Sequence, residues 1–322
     1  MNEFDLIARY FTRPARAARV GVGDDCALLT VDPGHELAIS TDMLVAGRHF
    51  LPDTDPEALG HKALAVNLSD LAACGAQPRY ALLALALPAV DEDWLARFAR
   101  GLFTLADEQG VELIGGDTTR GPLNLCVTVL GEVPAGQALL RSGARAGDEI
   151  WVSGSLGDAA LGLAILQGRT ALDAPAGRQA LERLHRPTPR VALGQALRGI
   201  AHAAIDVSDG FLADLAHILR ASGLSADIAL AALPRSAAMI ACQDAPLAQE
   251  CLLAGGDDYE LCFTAALAQR AAILALAAQL GLALTRVGSL GNGPAGALRV
   301  LDAEGRTLAI GRRGFDHFAS SA

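Results

Sequence analysis

The sequence is poor in charge and in aromatic side chains. Charged residues make up 19% of it, below the about 25% of an average domain. The net charge is −10, and no basic stripe typical of nucleic-acid-binding proteins occurs. No apolar run reaches the roughly 18 residues of a membrane-spanning helix. We therefore expect neither a nucleic acid nor a membrane as a partner.

Signs of secretion are missing too. The six cysteines include no C-x-x-C pair, and residues 1–5 lack the charged and apolar regions that begin a signal peptide. Disulfides are rare in reducing compartments. These features predict reduced thiols in a cytoplasmic protein.

Several well-known catalytic motifs are also absent. The sequence has no P-loop of the form G-x-x-x-x-G-K-[ST], no protein-kinase catalytic loop, no G-x-S-x-G elbow and no zinc spacing among its seven histidines. The stretch from Gly291 to Gly296 matches G-x-G-x-x-G, but Pro294 and the strand-like residues after it do not open a helix. P-loop, zinc and dinucleotide-binding enzymes are therefore disfavoured.

What is present predicts two mixed domains. A length of 322 residues suits two domains, and residues 134–147 are rich in Gly, Ala, Pro and Arg, as a linker would be. We place the domains at residues 1–137 and 148–322. Helices and strands alternate without a strict βαβ rhythm, which favours an α+β fold over a doubly wound sheet.

The hydrophobic pattern places the main elements. A strand is predicted to end at Asp42, and helices are predicted from Pro56 to Cys74 and from Asp91 to Gly110. Gly115-Gly-Asp-Thr118 reads as a turn after a short strand. Ser208 is predicted to cap a helix over residues 210–221.

Aspartates recur at the ends of these elements. Glycines precede Asp24-Asp25, Asp117, Asp158 and Asp257-Asp258, a strand is predicted to end at Asp42, and Val207-Ser208 lies between Asp206 and Asp209. One Gly-Asp turn is ordinary turn chemistry, but the repetition indicates a site. Two carboxylates about 4 Å apart repel by about 4 kcal/mol at an effective dielectric of about 20. Converging aspartates would therefore need cations, and hard oxygen ligands select Mg²⁺ or Ca²⁺.

Asp70 strengthens this reading. On the helix from Pro56, Asp70 lies within about 40° of Leu59, Ala63 and Val66 on the apolar stripe. A buried carboxylate requires a hydrogen bond, a counter-charge or a metal, and any of the three would satisfy it.

The glycines next to the aspartates suggest phosphate. Residues 21–25 and 154–158 are both glycine-containing turns that end in aspartate. Backbone N–H groups in such turns can approach anions closely. Together with the carboxylates, these turns predict a phosphate bridged by Mg²⁺.

Six motifs jointly resemble the thiamine-monophosphate kinase family. They are Gly21-Val-Gly-Asp-Asp25, Ser40-Thr-Asp-Met-Leu-Val-Ala-Gly-Arg-His-Phe50, Lys62-Ala-Leu-Ala-Val-Asn-Leu-Ser-Asp-Leu-Ala72, Gly115-Gly-Asp-Thr118, Asp206-Val-Ser-Asp-Gly210 and Gly255-Gly-Asp-Asp-Tyr-Glu260. They occur in order, and the resemblance runs from about Phe4 to Phe318. It implies the two-domain fold of aminoimidazole ribonucleotide synthetase, with an N-terminal domain that forms a dimeric β-barrel.

The resemblance also implies roles for individual residues. The domain at 1–137 would hold the metals and the ATP phosphates and would dimerise, and that at 148–322 would contact nucleotide and substrate. Metal ligands would be Asp25, Ser40, Thr41, Asp42, Asp70, Asp117, Asp206 and Asp209, with Asp42, Asp117 and Asp209 as the catalytic members. ATP would be contacted by Gly116, Asp117, Arg141 and Ser208, and thiamine monophosphate by His49, Asp257 and Phe315.

The implied reaction is ATP-dependent phosphorylation of thiamine monophosphate to thiamine diphosphate, a step in thiamine biosynthesis. It would proceed by in-line transfer assisted by several Mg²⁺ ions in a homodimer. The acceptor is a phosphate monoester whose second pKa is about 6, so no general base is required. Charge stabilisation and alignment would supply most of the catalysis.

Two alternatives remain open. The chain could be another ATP-using enzyme of the same superfamily, such as aminoimidazole ribonucleotide synthetase. It could also be a non-catalytic metal–nucleotide sensor, for which ATP binding without turnover would be the sign.

Overall fold

The structure, a computed structural model, describes residues 2–315 and separates into two compact units. The first unit comprises the chain up to Leu71 together with Ala76–Ala138. The second comprises Ala72–Gly75 together with the chain from Leu139 onward. Within the described residues, no helix is both long and apolar enough to cross a membrane.

The first unit builds one sheet and two long helices. Its elements are α1 (Glu3–Leu6), which continues as a π-helical segment over Ile7–Phe11, β1 (His35–Val45), α2 (Pro56–Ala73), β2 (Gln77–Leu87), α3 (Glu92–Gln109), β3 (Glu112–Arg120) and β4 (Asn124–Pro134). The strand order is β1-β4-β2-β3, with β4 antiparallel to β1 and to β2, and with β2 parallel to β3.

Helices α2 and α3 form at the predicted positions. Asp91 caps α3, because its side chain accepts hydrogen bonds from the N–H groups of Asp93 and Trp94, and Gly110 ends the helix with a φ of 68°. The two helices approach closely where each has a glycine. A Cβ atom on Gly101 would lie 1.8 Å from the Glu57 carbonyl oxygen, and one on Gly60 2.1 Å from that of Phe98.

Two predicted strand ends are wrong. Asp42 lies inside β1, which continues to Val45, and Gly115-Gly116-Asp117 lies inside β3 instead of forming a turn. The pairing of β2 with β3 continues through Leu83–Gly116 and Ala84–Asp117. Glycine and aspartate are poor strand formers, so the sequence pattern indicated a turn that the neighbouring strand overrides.

The first sheet is open. Its edges are β1 and β3, and no closed barrel forms within residues 2–315. Alternate residues of β1 lie on the face turned away from α2, and three of them are exposed hydrophobics: Leu37 (40%), Ile39 (60%) and Met43 (57%). The barrel expected from the family resemblance is therefore not a feature of one chain.

The second unit is larger. Its elements are β5 (Glu149–Ser153), α4 (Asp158–Leu166), α5 (Ala174–His185), α6 (Val191–Ala196), β6 (Ala203–Asp206), α7 (Phe211–Ser222), β7 (Ser225–Ala229), α8 (Ala237–Ala241), α9 (Ala245–Ala254), β8 (Leu261–Ala265), α10 (Arg270–Leu280), β9 (Leu284–Gly291) and β10 (Leu298–Leu301). The six-stranded sheet has the order β10-β7-β9-β5-β8-β6. It is antiparallel except for the β10–β7 pair, so the α+β class is confirmed.

Helix α7 packs its apolar face into the core of this unit. Phe211, Leu215 and Ile218 are each fully buried, and they share one cluster with Ile150 and Val152 of β5. The same packing fixes the turn between β6 and α7, where several candidate residues lie.

The predicted cap of α7 is wrong. The helix begins at Phe211, and Gly210 stands at the capping position with no side chain to accept a hydrogen bond. Instead, Asp214 from within the helix accepts the N–H groups of Ser208, Asp209 and Gly210, the three residues that precede the helix.

Candidate functional site

In the first unit, β1 and α2 bring two oxygen-bearing side chains together. The Ser40 hydroxyl donates to Asp70 Oδ2 at 2.5 Å. Nearby, the Asp42 N–H donates to Asn67 Oδ1 at 2.9 Å, and Asn67 is anchored by its own bond to the Ala63 carbonyl. Asp70, predicted to lie on the apolar stripe of α2, is half-buried and partnered there.

Thr41 is separated from this group by the pleat of the strand. Successive side chains of a strand point to opposite faces. Accordingly, the Thr41 hydroxyl contacts β4, where it lies 2.9 Å from the Thr128 hydroxyl and donates to the Val127 carbonyl at 3.1 Å. Thr41 can therefore join Ser40 and Asp42 only through its backbone.

A groove of about 950 Å³ collects three other candidates of the first unit. Asp25, Gly116 and Asp117 line it, together with apolar residues of the N-terminal helix such as Phe4 and Phe11. Gly116 has a φ of 147°, and a Cβ atom there would lie 1.8 Å from the Leu83 carbonyl oxygen. Only glycine fits this position, which lets the β3 backbone border the groove directly.

The candidates on β1 and on β3 stay apart within one chain. These strands are the two edges of the sheet, with β4 and β2 between them. Three strand spacings amount to roughly 14 Å, too far for Asp42 and Asp117 to share a cation. Consistently, no group of three or more His, Cys, Asp or Glu side chains in residues 2–315 could hold a metal ion.

The chemistry of the candidate set still fits magnesium. Every predicted ligand supplies a hard oxygen, and Mg²⁺ prefers carboxylate, hydroxyl and carbonyl oxygens. The short Ser40–Asp70 pair already places two such oxygens side by side. The first unit thus supplies suitable donors, divided between the two edges of its sheet.

His49 lies just after β1, held by local bonds. The His49 Nδ1 atom accepts a hydrogen bond from the Val45 N–H at 3.0 Å. The backbone N–H of His49 donates to the Val45 carbonyl, also at 3.0 Å. A neutral His49 ring therefore carries its proton on Nε2.

In the second unit, the turn between β6 and α7 carries the other predicted metal ligands. Asp206 ends β6, and Ser208 and Asp209 follow in the turn. A single oxygen of Asp214 accepts the N–H groups of Ser208, Asp209 and Gly210, each at 3.0 Å. Burial, followed by the Asp209 carboxylate, raises the pKa of Asp214 to about 7, although the three N–H groups act to lower it.

The predicted substrate contacts attach to the same turn. The Asp257 N–H donates to the Ser208 carbonyl, and the Phe315 N–H donates to the Asp209 carbonyl, both at 2.8 Å. Asp257 and Tyr259 have φ values of 68° and 49°, an uncommon conformation for residues other than glycine. Backbone bonds to the turn hold this segment in that conformation.

Arg141, the predicted cation for the ATP phosphates, lies beside α7, and its backbone is at the end of the helix opposite to this turn. Its carbonyl accepts a hydrogen bond from the Ser222 hydroxyl at the end of α7. The pKa of His217 is lowered by burial, then by the Arg220 and Arg141 guanidiniums, whereas the Asp209 carboxylate acts to raise it. Arg141 and Asp209 thus act on the same imidazole.

The second predicted phosphate turn, residues 154–158, binds its own chain instead. The Gly154 and Leu156 N–H groups donate to the Ala283 and Pro234 carbonyls. The Gly157 N–H donates to Asp258 Oδ2 at 2.7 Å. Because these donors are already engaged, the turn is not the anion cradle that its sequence suggested.

Sequence reasoning also missed a buried ionic cluster beneath that turn. Glu260 is fully buried, accepts from the Ser153 hydroxyl at 2.6 Å, and is clamped by Arg183 at 2.6 Å and by Arg190. Burial raises the pKa of Asp258, which lies in the same cluster, well above its usual value.

Sequence reasoning also missed Asp214, although the sequence carries a signal for it. Asp214 falls on the apolar face of α7 beside Phe211, Leu215 and Ile218, as Asp70 does on α2.

Each of the two units matches a domain of one protein family. Residues 23–133 match the family described as AIR synthase related protein, N-terminal domain. Residues 145–301 match AIR synthase related protein, C-terminal domain.

Curated relatives match the chain almost end to end. Thiamine-monophosphate kinase of Salmonella typhimurium is 51% identical over 324 residues, covering 99% of each chain. The protein of the same name from Escherichia coli K12 is 50% identical with the same coverage.

Solved structures agree in fold. Thiamine-monophosphate kinase from Stenotrophomonas maltophilia K279a has a TM-score of 0.85 at 47% identity, covering 95% of this chain and 96% of that one. A protein described as AaThiL complexed with AMPPCP and TMP has a TM-score of 0.78 at 31% identity, covering 90% of this chain and 89% of that one.

Proposed function

The chain belongs to the thiamine-monophosphate kinases, within the AIR synthase related family, and from that membership we propose the details of its reaction. The observation that carries the proposal is the 51% identity to a curated kinase over 99% of both chains. The enzyme transfers the γ-phosphoryl group of ATP to thiamine monophosphate and releases thiamine diphosphate and ADP. The AMPPCP and TMP bound by a 31% identical relative correspond to these two substrates.

The transfer is direct and in line. An oxygen of the thiamine monophosphate phosphate attacks the γ-phosphorus, a new P–O bond forms, and the bond from the γ-phosphorus to the β–γ bridging oxygen breaks. The attacking oxygen is already deprotonated near neutral pH, since the second pKa of a phosphate monoester is about 6. No side chain is therefore assigned as a general base.

The protein's task is to hold two polyanions together. Asp25, Ser40, Asp42, Asp70, Asp117, Asp206 and Asp209 would hold Mg²⁺ through their side chains, and Thr41 through its backbone. When bound, Mg²⁺ supplies charge neutralisation for the phosphates and stabilises the transferring group. Gly116, Asp117, Arg141 and Ser208 contact ATP, and the Arg141 guanidinium offsets phosphate charge.

The thiamine part is bound by three residues. His49 offers its imidazole ring, Asp257 a carboxylate, and Phe315 the face of its ring, against which a flat heterocycle can stack. The backbone bonds of Asp257 and Phe315 to one turn keep these two contacts in register with each other.

We further propose that the enzyme is a homodimer joined through the open sheet. Leu37, Ile39 and Met43 form an exposed apolar face on β1 that a second copy would cover. Closing two four-stranded sheets into one barrel, about a two-fold axis along the strands, places β1 of one copy beside β3 of its partner. Asp42 of one copy and Asp117 of the other then approach each other.

From the same family membership, we propose how the functions divide between the two domains and where the enzyme works. Residues 1–137 provide the metal, ATP-phosphate and dimerisation functions, and residues 148–322 the nucleotide and substrate contacts. The enzyme works in the cytoplasm, which agrees with six cysteines that are all free thiols.

The reaction is tested with purified protein, MgATP and thiamine monophosphate, following thiamine diphosphate and ADP by chromatography. Equal amounts of both products, formed only with Mg²⁺ and with acceptor, are expected. ATP hydrolysis without diphosphate would contradict the proposal, and aminoimidazole ribotide synthesis would then be assayed. With ATP that is chiral at the γ-phosphorus, in-line transfer inverts configuration, and retention would instead indicate a phosphorylated enzyme.

A further inference from the structure

Asp214 has no role in the proposed reaction so far, yet it organises the turn on which that reaction depends. Its side chain lies one turn inside α7 and the residue is only 3% exposed. One carboxylate oxygen accepts the N–H groups of three successive residues, Ser208, Asp209 and Gly210. Such convergence fixes both the position and the orientation of the turn.

The carbonyl groups of the turn point the other way and hold two distant segments. Ser208 receives the N–H of Asp257, and Asp209 receives that of Phe315. The turn is therefore bonded on one side by a single carboxylate and on the other by the backbone of two of the three proposed thiamine contacts, Asp257 and Phe315.

Close packing transmits the position of the turn to these segments. A Cβ atom on Gly256 would lie 2.3 Å from the Ser208 carbonyl oxygen, and one on Gly210 would lie 2.8 Å from the Ala254 backbone. Because nothing larger than glycine fits at either point, a shift of the turn has to displace residues 254–257 too.

We propose that Asp214 is a positioning residue for phosphoryl transfer, which sets Ser208, Asp209, Asp257 and Phe315 together by holding the three N–H groups of the turn. This inference rests on the proposed function. Asp214 acts through the turn and does not touch the substrates. The role requires only an oxygen at this point that accepts the three hydrogen bonds. The amide oxygen of an asparagine can therefore replace the carboxylate oxygen.

The consequence is a specific kinetic pattern. Releasing the turn displaces both the ATP side and the thiamine side of the site, and a misplacement of about 1 Å can cost about 10²-fold in rate. Loss of Asp214 should therefore lower kcat and raise the KM for thiamine monophosphate together. A purely structural loss would lower the fraction of folded enzyme and leave KM unchanged.

The test compares Asp214→Ala, Asp214→Asn and the matched control Asp173→Ala. Asp173 also accepts a backbone N–H at a helix start in the same unit, that of Ala176 at 3.1 Å, but at α5 instead of at the turn. Steady-state kinetics for both substrates are combined with hydrogen exchange of the peptide spanning residues 207–211.

The expected result is that Asp214→Ala lowers kcat by about 10²-fold, raises the KM for thiamine monophosphate, and speeds exchange of the peptide by about 10-fold. Asp214→Asn, which keeps an acceptor oxygen, should stay within about 5-fold of the wild type, since neutral and charged acceptors differ modestly. Asp173→Ala should leave KM and the exchange of this peptide unchanged.

Three results would overturn the inference: wild-type kinetics for folded Asp214→Ala, an asparagine variant as impaired as the alanine variant, or the same KM rise in Asp173→Ala. If Asp214→Ala does not fold, Asp214→Glu replaces it. The longer carboxylate should displace the turn and raise KM, and unchanged kinetics would again refute the role. Exchange rates do not depend on turnover, so a wild type that makes no thiamine diphosphate refutes the proposed function separately.

Discussion

The two units hold their candidate residues in different ways. In the first unit, Asp42 and Asp117 lie on opposite edge strands of an open sheet, with two strands between them. In the second, Ser208 and Asp209 share one turn whose N–H groups all bind a single buried oxygen of Asp214. The second arrangement is complete within one chain, whereas the first leaves its acidic residues too far apart to act together.

The two arrangements differ in what each needs before it can act. A preorganised turn needs only its own unit to fold correctly. Carboxylates on separated edges need another element to bring them together, and in the proposed homodimer that element is the second copy. Five further experiments probe this difference between the units.

The largest effect is expected for Asp42→Asn or Asp117→Asn. Each removes a charged oxygen from the proposed metal set, and turnover should fall by about 10³-fold or more while the unfolding transition stays near that of the wild type. Rates by chromatography and melting by circular dichroism measure the two quantities. Folded variants with near-normal turnover would remove these residues from the reaction.

Mixing the Asp42→Asn and Asp117→Asn variants tests whether the two aspartates act from different copies. If each site takes Asp42 from one copy and Asp117 from the other, every mixed dimer has one intact site. After subunit exchange about a quarter of wild-type activity should return. If mass spectrometry shows exchange and no activity returns, both aspartates act within one chain; if it shows no dimer, the proposed homodimer is refuted.

The next effect concerns stability of the second unit. Glu260→Ala leaves Arg183 and Arg190, each with a side chain only 17% exposed, facing a buried space without a counter-charge. We expect a loss of about 3–5 kcal/mol in the free energy of unfolding, measured in urea. Glu149→Ala is the matched control, because its arginines Arg270 and Arg286 are nearly half exposed and can turn to water. Equal losses would show that burial of the arginines does not matter.

A smaller effect is expected from pH. Burial keeps the folded-state pKa of Asp258 well above its usual 3.8. The folded state therefore retains a proton that the unfolded state releases, so the contribution of Asp258 to stability is full below pH 3.8 and is lost as pH rises towards the folded pKa. As pH rises from 4 to 7, the unfolding free energy of the wild type should therefore fall relative to that of Asp258→Asn. A difference that does not change with pH would contradict this.

The smallest effect is expected at Phe315. Phe315→Ala should raise the KM for thiamine monophosphate by about 3- to 10-fold through loss of ring stacking, with the KM for ATP as the internal control. Phe315→Tyr keeps the ring face and should behave as the wild type. An unchanged KM in the alanine variant would exclude Phe315 from the substrate site.

Local signals in the sequence predicted much of the fold. Helices α2 and α3 lie where periodicity and capping residues placed them, and α7 begins and ends within one residue of its predicted bounds. The errors at Asp42, at Gly115–Gly116 and at Ser208 have one cause. Local turn and capping preferences were overruled there by a neighbouring strand or by a side chain from within the helix.

The site was less predictable, because its contacts join residues that are far apart in the chain. No local pattern shows that Asp209 and Phe315 share a hydrogen bond, or that Asp258 engages Gly157 and thereby occupies a predicted phosphate turn. The metal and substrate assignments remain predictions carried by the family. Asp214 could have been found by asking, as for Asp70, why a carboxylate lies on an apolar helix face.

The bond between the Asp209 carbonyl and Phe315 has a consequence for engineering. It is made by the main chain, so every residue type except proline can make it at position 315. The side chain there can be exchanged while its point of attachment stays in place. A library of substitutions at this single position, screened against thiamine analogues, is therefore a direct route to altered acceptor choice. The same freedom allows the side chain at this position to vary in evolution without loss of the backbone bond.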